Sequence, residues 1–145
     1  MNLSVVSVAA VAERLSKVTL PLYAARPAAG FPAPGDDMVE KALDLNELLI
    51  EHPVSTFFVR VEGDSMEGAQ IFSGDILVVD KAREAHSGDI VVAAVYGELV
   101  VKRWVVKQGQ AALVSENTAY EPIVVHEGGD VYLWGVVVGS VRRFV

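Results

Sequence analysis

Two side chains in this sequence could form a catalytic pair, and Ser65 is the first of them. It lies in Gly63-Asp64-Ser65-Met66, where a run of strand-forming residues gives way to a glycine-flanked turn. A serine at the end of a strand, with free backbone N–H groups beside it, is placed to act as a nucleophile next to an oxyanion hole. An ordinary turn serine has the same local sequence, so Ser65 alone does not establish a catalytic site.

Lys102 is the second candidate, and its chemistry depends on burial. It lies in the valine-rich run 99–106, where it shares one strand face with Val100, Trp104 and Val106. A buried lysine loses the solvation of its ammonium, and its pKa falls by up to about 3–5 units, so that the neutral amine can act as a base. Keeping a lysine of ordinary pKa neutral at pH 7 would cost roughly 4.6 kcal/mol. Both faces of this strand are apolar, so the pattern leaves open an ammonium that reaches solvent.

A segment rich in proline and glycine could supply the substrate. Residues 25–37 contain three of the six prolines of the chain, together with two glycines. Residues of these types at this density oppose both helix and sheet, which predicts an exposed and extended linker. Ala29-Gly30 lies within it, and two small residues in an accessible linker are easily threaded into a narrow cleft.

The elements that must position these residues are mostly strands. Asp44 and Glu47 have the spacing of a capping box, which predicts one short helix ending before Pro53. Tyr96-Gly97-Glu98 predicts a hairpin turn. Valine, isoleucine and aromatic residues predict strands at 56–62, 76–79, 90–95, 99–106, 112–114, 123–125 and 131–138.

The N-terminal zone is less clearly patterned, because residues 1–24 are apolar without one period and could be strand or helix. We therefore expect an N-terminal arm and linker over residues 1–37 and a compact β-rich domain over residues 38–145.

Composition narrows the classes of function and of binding site that are expected for this chain. The chain has 12 basic and 19 acidic residues, a net charge of −7, and no basic cluster, which disfavours direct binding to nucleic acid and favours a protein partner. Hydrophobic residues make up 52% of the chain, so the surplus is expected in a core or a subunit interface. The absence of cysteine excludes disulfides and thiolate metal sites. His52, His86 and His126 stand alone, so we assign no metal.

Localisation follows from two further observations. No stretch approaches the roughly 18–20 unbroken apolar residues of a membrane helix. The apolar run 5–12 has no preceding positive residue and is followed by Glu13, Arg14 and Lys17, unlike a secretory signal. A cytoplasmic protein is expected.

Taken together, these motifs resemble the UmuD branch of the LexA-type self-cleaving Ser–Lys peptidases. The resemblance extends from about residue 21 to residue 138 and includes the 37-residue separation of Ser65 and Lys102. Its motifs are Ala29-Gly30-Phe31-Pro32, Leu45-Asn46-Glu47-Leu48-Leu49-Ile50-Glu51-His52-Pro53, Gly63-Asp64-Ser65-Met66, Ser73-Gly74-Asp75-Ile76-Leu77-Val78-Val79-Asp80, Gly88-Asp89-Ile90-Val91 and Val101-Lys102-Arg103.

The resemblance implies a role for each candidate residue. Ser65 would be the nucleophile, Lys102 the general base, and Ala29-Gly30 the bond that is cut. The backbone N–H groups of Asp64 and Ser65 would be the oxyanion donors. The family fold is a compact β domain with a mobile N-terminal arm. Its members form homodimers, and for this chain we expect no cofactor.

The resemblance also implies partners. Relatives cleave themselves slowly until a RecA-type recombinase filament stimulates them, and the shortened dimer joins an error-prone Y-family polymerase for translesion synthesis in the SOS response to DNA damage. The 29 residues before Gly30 are too few for the helix-turn-helix domain of a repressor. Signal peptidases share the Ser–Lys pair but carry a membrane anchor. Two alternatives stay open: a non-catalytic accessory module of the same fold, and a phage or plasmid anti-repressor.

Overall fold

A computed structural model describes residues 1–11, 15–23 and 39–145, with the side chains of residues 39 and 40 excepted. In this part of the chain there is one α-helix, α1 (Leu45–Leu49), with 3-10 turns at Pro53–Ser55 and Glu67–Ala69. The strands are β1 (Ser4–Ala10), β2 (Thr19–Tyr23), β3 (Val39–Asp44), β4 (Thr56–Glu62), β5 (Ile76–Asp80), β6 (Ile90–Val95), β7 (Glu98–Lys107), β8 (Gln110–Val114), β9 (Ile123–Val124) and β10 (Val131–Val141).

Eight of these strands form one antiparallel sheet that closes on itself. The strand order is β1-β4-β5-β10-β6-β7-β8-β9, and an additional pairing of Ser4 in β1 with Val100 in β7 joins the first strand to the sixth. The first six strands in this order therefore make a barrel, and β8 and β9 extend it on one side. β2 and β3 form a separate two-stranded sheet.

Alternation along β4 shows why the barrel forms. Val59 and Val61 are buried, while Arg60 and Glu62 point to solvent. The buried apolar side chains inside the barrel form one cluster, and their removal from water is the main favourable term in folding. This cluster contains Leu3, Val59, Val61, Met66, Ile71, Leu77, Val79, Val92 and Val101.

Local sequence signals account for the helix and one hairpin. The Asp44 side chain caps α1 by accepting a hydrogen bond from the Asn46 backbone N–H at 3.0 Å. Tyr96 and Gly97, both with positive φ, form the two-residue turn between β6 and β7. The predicted helix, this turn and all seven predicted strands are confirmed, with bounds that shift by at most a few residues.

The first residues of the chain, for which the sequence left strand and helix open, are strand. β1 pairs with β4 from Ser4 opposite Glu62 to Ala10 opposite Phe57. Part of the segment expected to be an N-terminal arm thus lies in the main sheet. No helix in the described ranges is long and apolar enough to cross a membrane.

Candidate active site

Ser65 lies in the turn that follows β4, which we call the Ser65 turn (residues 63–66). Gly63 has a φ of +127°, a conformation that glycine adopts without steric cost, and this turns the chain sharply at the end of the strand. The Ser65 side chain is 0% exposed. Its hydroxyl oxygen accepts a hydrogen bond from the backbone N–H of Leu3 at 2.9 Å.

Lys102 lies on β7 and is 1% exposed, so its ammonium does not reach solvent. Its neighbour Val101 points into the barrel core, which places Lys102 on the opposite face of the strand. Its Nζ donates to the Ser115 hydroxyl and, at 2.7 Å, to Oδ1 of Asn2. It also lies 5.2 Å from the ring centre of Tyr120. Burial lowers the pKa of Lys102, as a general base requires.

The first residues of the chain contact both candidate side chains. The backbone N–H of Leu3 donates to Ser65, and the side chain of the preceding Asn2 accepts from Lys102. Residues 1–3, which we call the N-terminal tripeptide, therefore lie between the Ser65 turn and β7. We call this space the cleft. Among the described residues, Ser65 and Lys102 make no direct hydrogen bond to each other.

The predicted oxyanion donors lie in the same turn. The backbone N–H of Asp64 donates to the carbonyl oxygen of Met1 at 3.0 Å. The Asp64 carboxylate accepts from the Tyr120 hydroxyl at 2.6 Å and from the Met1 ammonium at 2.9 Å. These contacts lower the pKa of Asp64, the hydrogen bond from Tyr120 having the largest effect. The same hydrogen bond raises the pKa of Tyr120 to about 12. Asp64 is thus held as a carboxylate at neutral pH.

Ser115 contacts Lys102 and was not found from the sequence. Gln108 and Gly109, with positive φ, form the turn between β7 and β8. The register of the two strands runs from Lys107 opposite Gln110 to Arg103 opposite Val114, and one further step sets Ser115 opposite Lys102. Counting outward from Gln108-Gly109 would therefore have found it.

Asn2 and Tyr120 were also missed, because each reaches Lys102 or Asp64 from a distant part of the chain. No local spacing in one sequence connects residues so far apart. The predicted scissile bond, Ala29-Gly30, lies outside the described residues.

The described ranges contain no cluster of three histidine or carboxylate side chains that could hold a metal ion. His52 instead hydrogen-bonds the Asp80 carboxylate, with 2.6 Å between Nδ1 and Oδ2. A buried serine and a buried lysine with a lowered pKa are therefore the groups in the cleft that could carry out acyl-transfer chemistry.

Comparison with known proteins agrees with this chemistry. The sequence pattern of the family described as Peptidase S24-like matches residues 21–138. The chain is 43% identical to the SamA protein of Salmonella typhimurium over 86% of each chain. It is 40% identical to the ImpA protein of Escherichia coli, over 85% of this chain and 83% of ImpA.

A repressor is similar as well. The LexA repressor of Polaromonas naphthalenivorans is 39% identical over 90% of this chain, but the similar region is only 55% of the repressor.

Proposed function

Because the chain belongs to the Peptidase S24-like family, we propose that it is a self-cleaving serine peptidase in which Ser65 attacks the Ala29-Gly30 bond and Lys102 accepts the serine proton. The family membership expected from the sequence motifs is confirmed by the match over residues 21–138. The roles of the individual residues are our proposal.

One observation supports the assignment of Ser65 and Lys102 as a catalytic pair. Ser65 and Lys102 are both fully buried at one cleft, on two elements that the barrel holds together, although they lie 37 positions apart in the sequence. A buried lysine without an anionic partner is costly to a fold. Among the described residues, the hydrogen-bond partners of the Lys102 amine are the neutral side chains of Asn2 and Ser115. This environment favours the neutral amine that a general base needs.

The proposed reaction proceeds through an acyl-enzyme. The Ser65 oxygen bonds to the Ala29 carbonyl carbon while its proton passes to neutral Lys102. The oxyanion accepts hydrogen bonds from the backbone N–H groups of Asp64 and Ser65. The carbon–nitrogen bond then breaks as Lys102 returns the proton to the amine of Gly30. Lys102 then takes a proton from water as the water oxygen attacks the Ala29 ester, and it returns that proton to the Ser65 oxygen as the ester bond breaks. The carboxylic acid that is released loses its own proton to solvent and becomes a carboxylate.

Ser115 has a supporting role in this mechanism. Its hydroxyl contacts Lys102 from β8, so it fixes the direction in which the amine points. We assign it as a positioning residue, because it touches the base and not the reacting bond.

The cellular role that we propose follows from the UmuD-type resemblance. After cleavage the shortened protein would act as a homodimeric accessory subunit of an error-prone Y-family DNA polymerase. A RecA-type recombinase filament would stimulate the cleavage as part of the SOS response in the bacterial cytoplasm. The similarity to SamA and ImpA over most of each chain supports this role.

Incubation with an activated recombinase filament tests the proposal. Wild-type protein should yield a product that starts at Gly30 on N-terminal sequencing, while Ser65→Ala and Lys102→Ala should stay intact and folded. Ser87→Ala and Lys107→Ala change an exposed serine and an exposed lysine, and serve as matched controls that should cleave normally. Cleavage of Ser65→Ala at the wild-type rate would refute the mechanism. An intact wild type that still binds a Y-family polymerase would favour the non-catalytic accessory module.

A further inference from the structure

The N-terminal tripeptide, which directly precedes β1, occupies the cleft. Leu3 is 0% exposed and belongs to the apolar cluster inside the barrel. Its carbonyl oxygen accepts from the backbone N–H of Val101 at 2.9 Å, and its own N–H donates to Ser65 at 2.9 Å. The tripeptide therefore binds by strand addition, with one side chain filling an apolar pocket.

Three consecutive residues contact the proposed nucleophile, the proposed base and one of the two proposed oxyanion donors. Met1 accepts from the backbone N–H of Asp64, Asn2 accepts from Lys102, and Leu3 donates to Ser65. A scissile peptide would have to reach the same three groups, Asp64 N–H, Lys102 and Ser65, to be cut. The tripeptide and the Ala29-Gly30 segment therefore cannot occupy the cleft together.

The tripeptide does not sit as a substrate sits. The group that faces the Ser65 oxygen is the N–H of Leu3, a hydrogen-bond donor that engages a lone pair of the nucleophile. A substrate presents a carbonyl carbon there instead. The tripeptide therefore occupies the cleft without being cut.

Gly63 in the Ser65 turn allows the backbone of the tripeptide to approach this turn closely. A Cβ atom added to Gly63 would lie 2.2 Å from the carbonyl oxygen of Asn2 and 2.7 Å from Cα of Leu3. No other residue type leaves the backbone of the tripeptide room at this place.

We propose that the N-terminal tripeptide is an internal ligand of the cleft, which competes with the scissile segment and keeps the uncleaved chain latent. This inference rests on the proposed function, since latency is defined relative to self-cleavage. Anything that draws β1 away from β4 would release the tripeptide and free Ser65 and Lys102 together.

Substitutions of residues that hold the tripeptide in the cleft, compared with a substitution at an exposed position of β1, test the proposal. Leu3→Ser removes the buried anchor and should speed filament-free self-cleavage by about tenfold, which corresponds to about 1.4 kcal/mol. Val6→Ser is the matched control, because Val6 is 49% exposed on β1 and its substitution should leave the rate unchanged. Asn2→Ala removes the contact with Lys102 without creating a core cavity, and it should also raise the rate of filament-free self-cleavage. This second variant keeps the proposal testable if Leu3→Ser does not fold.

A second readout does not need self-cleavage. A small fluorophosphonate forms a phosphorus–oxygen bond with Ser65, fluoride leaves, and the hydroxyl proton passes to Lys102. Intact mass follows this labelling, which should be about tenfold faster in Leu3→Ser than in Val6→Ser.

The outcomes separate the two proposals. If wild type cleaves itself and both the cleavage and labelling rates of Leu3→Ser and Asn2→Ala equal those of Val6→Ser, the internal ligand is refuted and the proposed function stands. If neither wild type nor any of these variants cleaves itself even with the filament, the proposed function is refuted. Faster labelling of Ser65 in Leu3→Ser would then still support the occupied cleft.

Discussion

Replacing Lys102 by methionine tests whether folding desolvates the amine of this residue. Lys102 is 1% exposed, and burial lowers its pKa in the folded state. Methionine fills a similar volume without an ionisable group. The substitution also removes the hydrogen bonds to Asn2 and Ser115, but neither of these two side chains ionises in the pH range of interest. The pH dependence of the stability difference therefore isolates the ionisation of Lys102.

The sign and size of that dependence follow from proton binding. Between the lowered pKa of the folded state and the ordinary value of 10.5, the unfolded chain holds the Lys102 proton and the folded chain does not. The unfolded state thus binds more protons, so the free energy of unfolding of wild type rises with pH. Relative to Lys102→Met, the rise is up to about 1.36 kcal/mol for each pH unit in this window. Below the window and above pH 10.5 the difference is constant.

Urea denaturation of both proteins at intervals from pH 6 to pH 10.5 measures the difference. Lys107→Met is the control, because Lys107 is an exposed lysine on the same strand and an exposed ammonium loses little solvation on folding. Its stability difference from wild type should stay flat. A flat difference for Lys102→Met as well, or one that falls with pH, would refute the desolvated amine and with it the proposed base.

Other predictions concern the reaction and a second ionisable pair. Without the filament, self-cleavage should accelerate from pH 7 towards pH 10, because only neutral Lys102 accepts the serine proton, and a rate already constant at pH 7 would argue against this base. Gly30→Glu should leave the intact mass unchanged on incubation with the filament, since a bulky charged side chain obstructs the cleft. Ser115→Ala should slow cleavage by on the order of tenfold and Ser115→Thr should restore it, because the hydroxyl orients the base. The hydrogen bond to Asp80 raises the pKa of His52, so this contact stabilises the fold fully below the unfolded pKa of 6.5 and less as pH rises through the folded pKa. His52→Asn should therefore cost more stability at pH 5 than at pH 8 in urea denaturation.

The sequence predicts the barrel well where its signals are local. The valine-rich runs that became β4 to β10 have high strand propensity, and Tyr96-Gly97 fixes one hairpin register by itself. β1 could not be assigned, because its small and apolar residues have no strict alternation and its partner β4 lies about fifty residues away. β1 is a strand because it pairs with β4 in the folded sheet.

The same distinction holds for the candidate site. Residue type and local context made Ser65 and Lys102 candidates, but their pairing as nucleophile and base came from the resemblance of their motifs and separation to the LexA-type Ser–Lys peptidases. Burial of Lys102 could not be decided, because both faces of its strand are apolar and only the folded chain shows that Asn2 and Ser115 cover it.

Strand β1 has a consequence for the product of the proposed cleavage. It closes the barrel against β4, yet it lies on the N-terminal side of the Ala29-Gly30 bond. A cut at that bond would make β1 part of a separate peptide, held to the domain by pairing and packing alone. Once this peptide dissociates, β4 becomes an edge strand with a row of unpaired backbone N–H and C=O groups. Such an edge accepts an added strand from another chain. One cut in the linker would thus open the barrel and create a receptor for an extended segment of a partner protein.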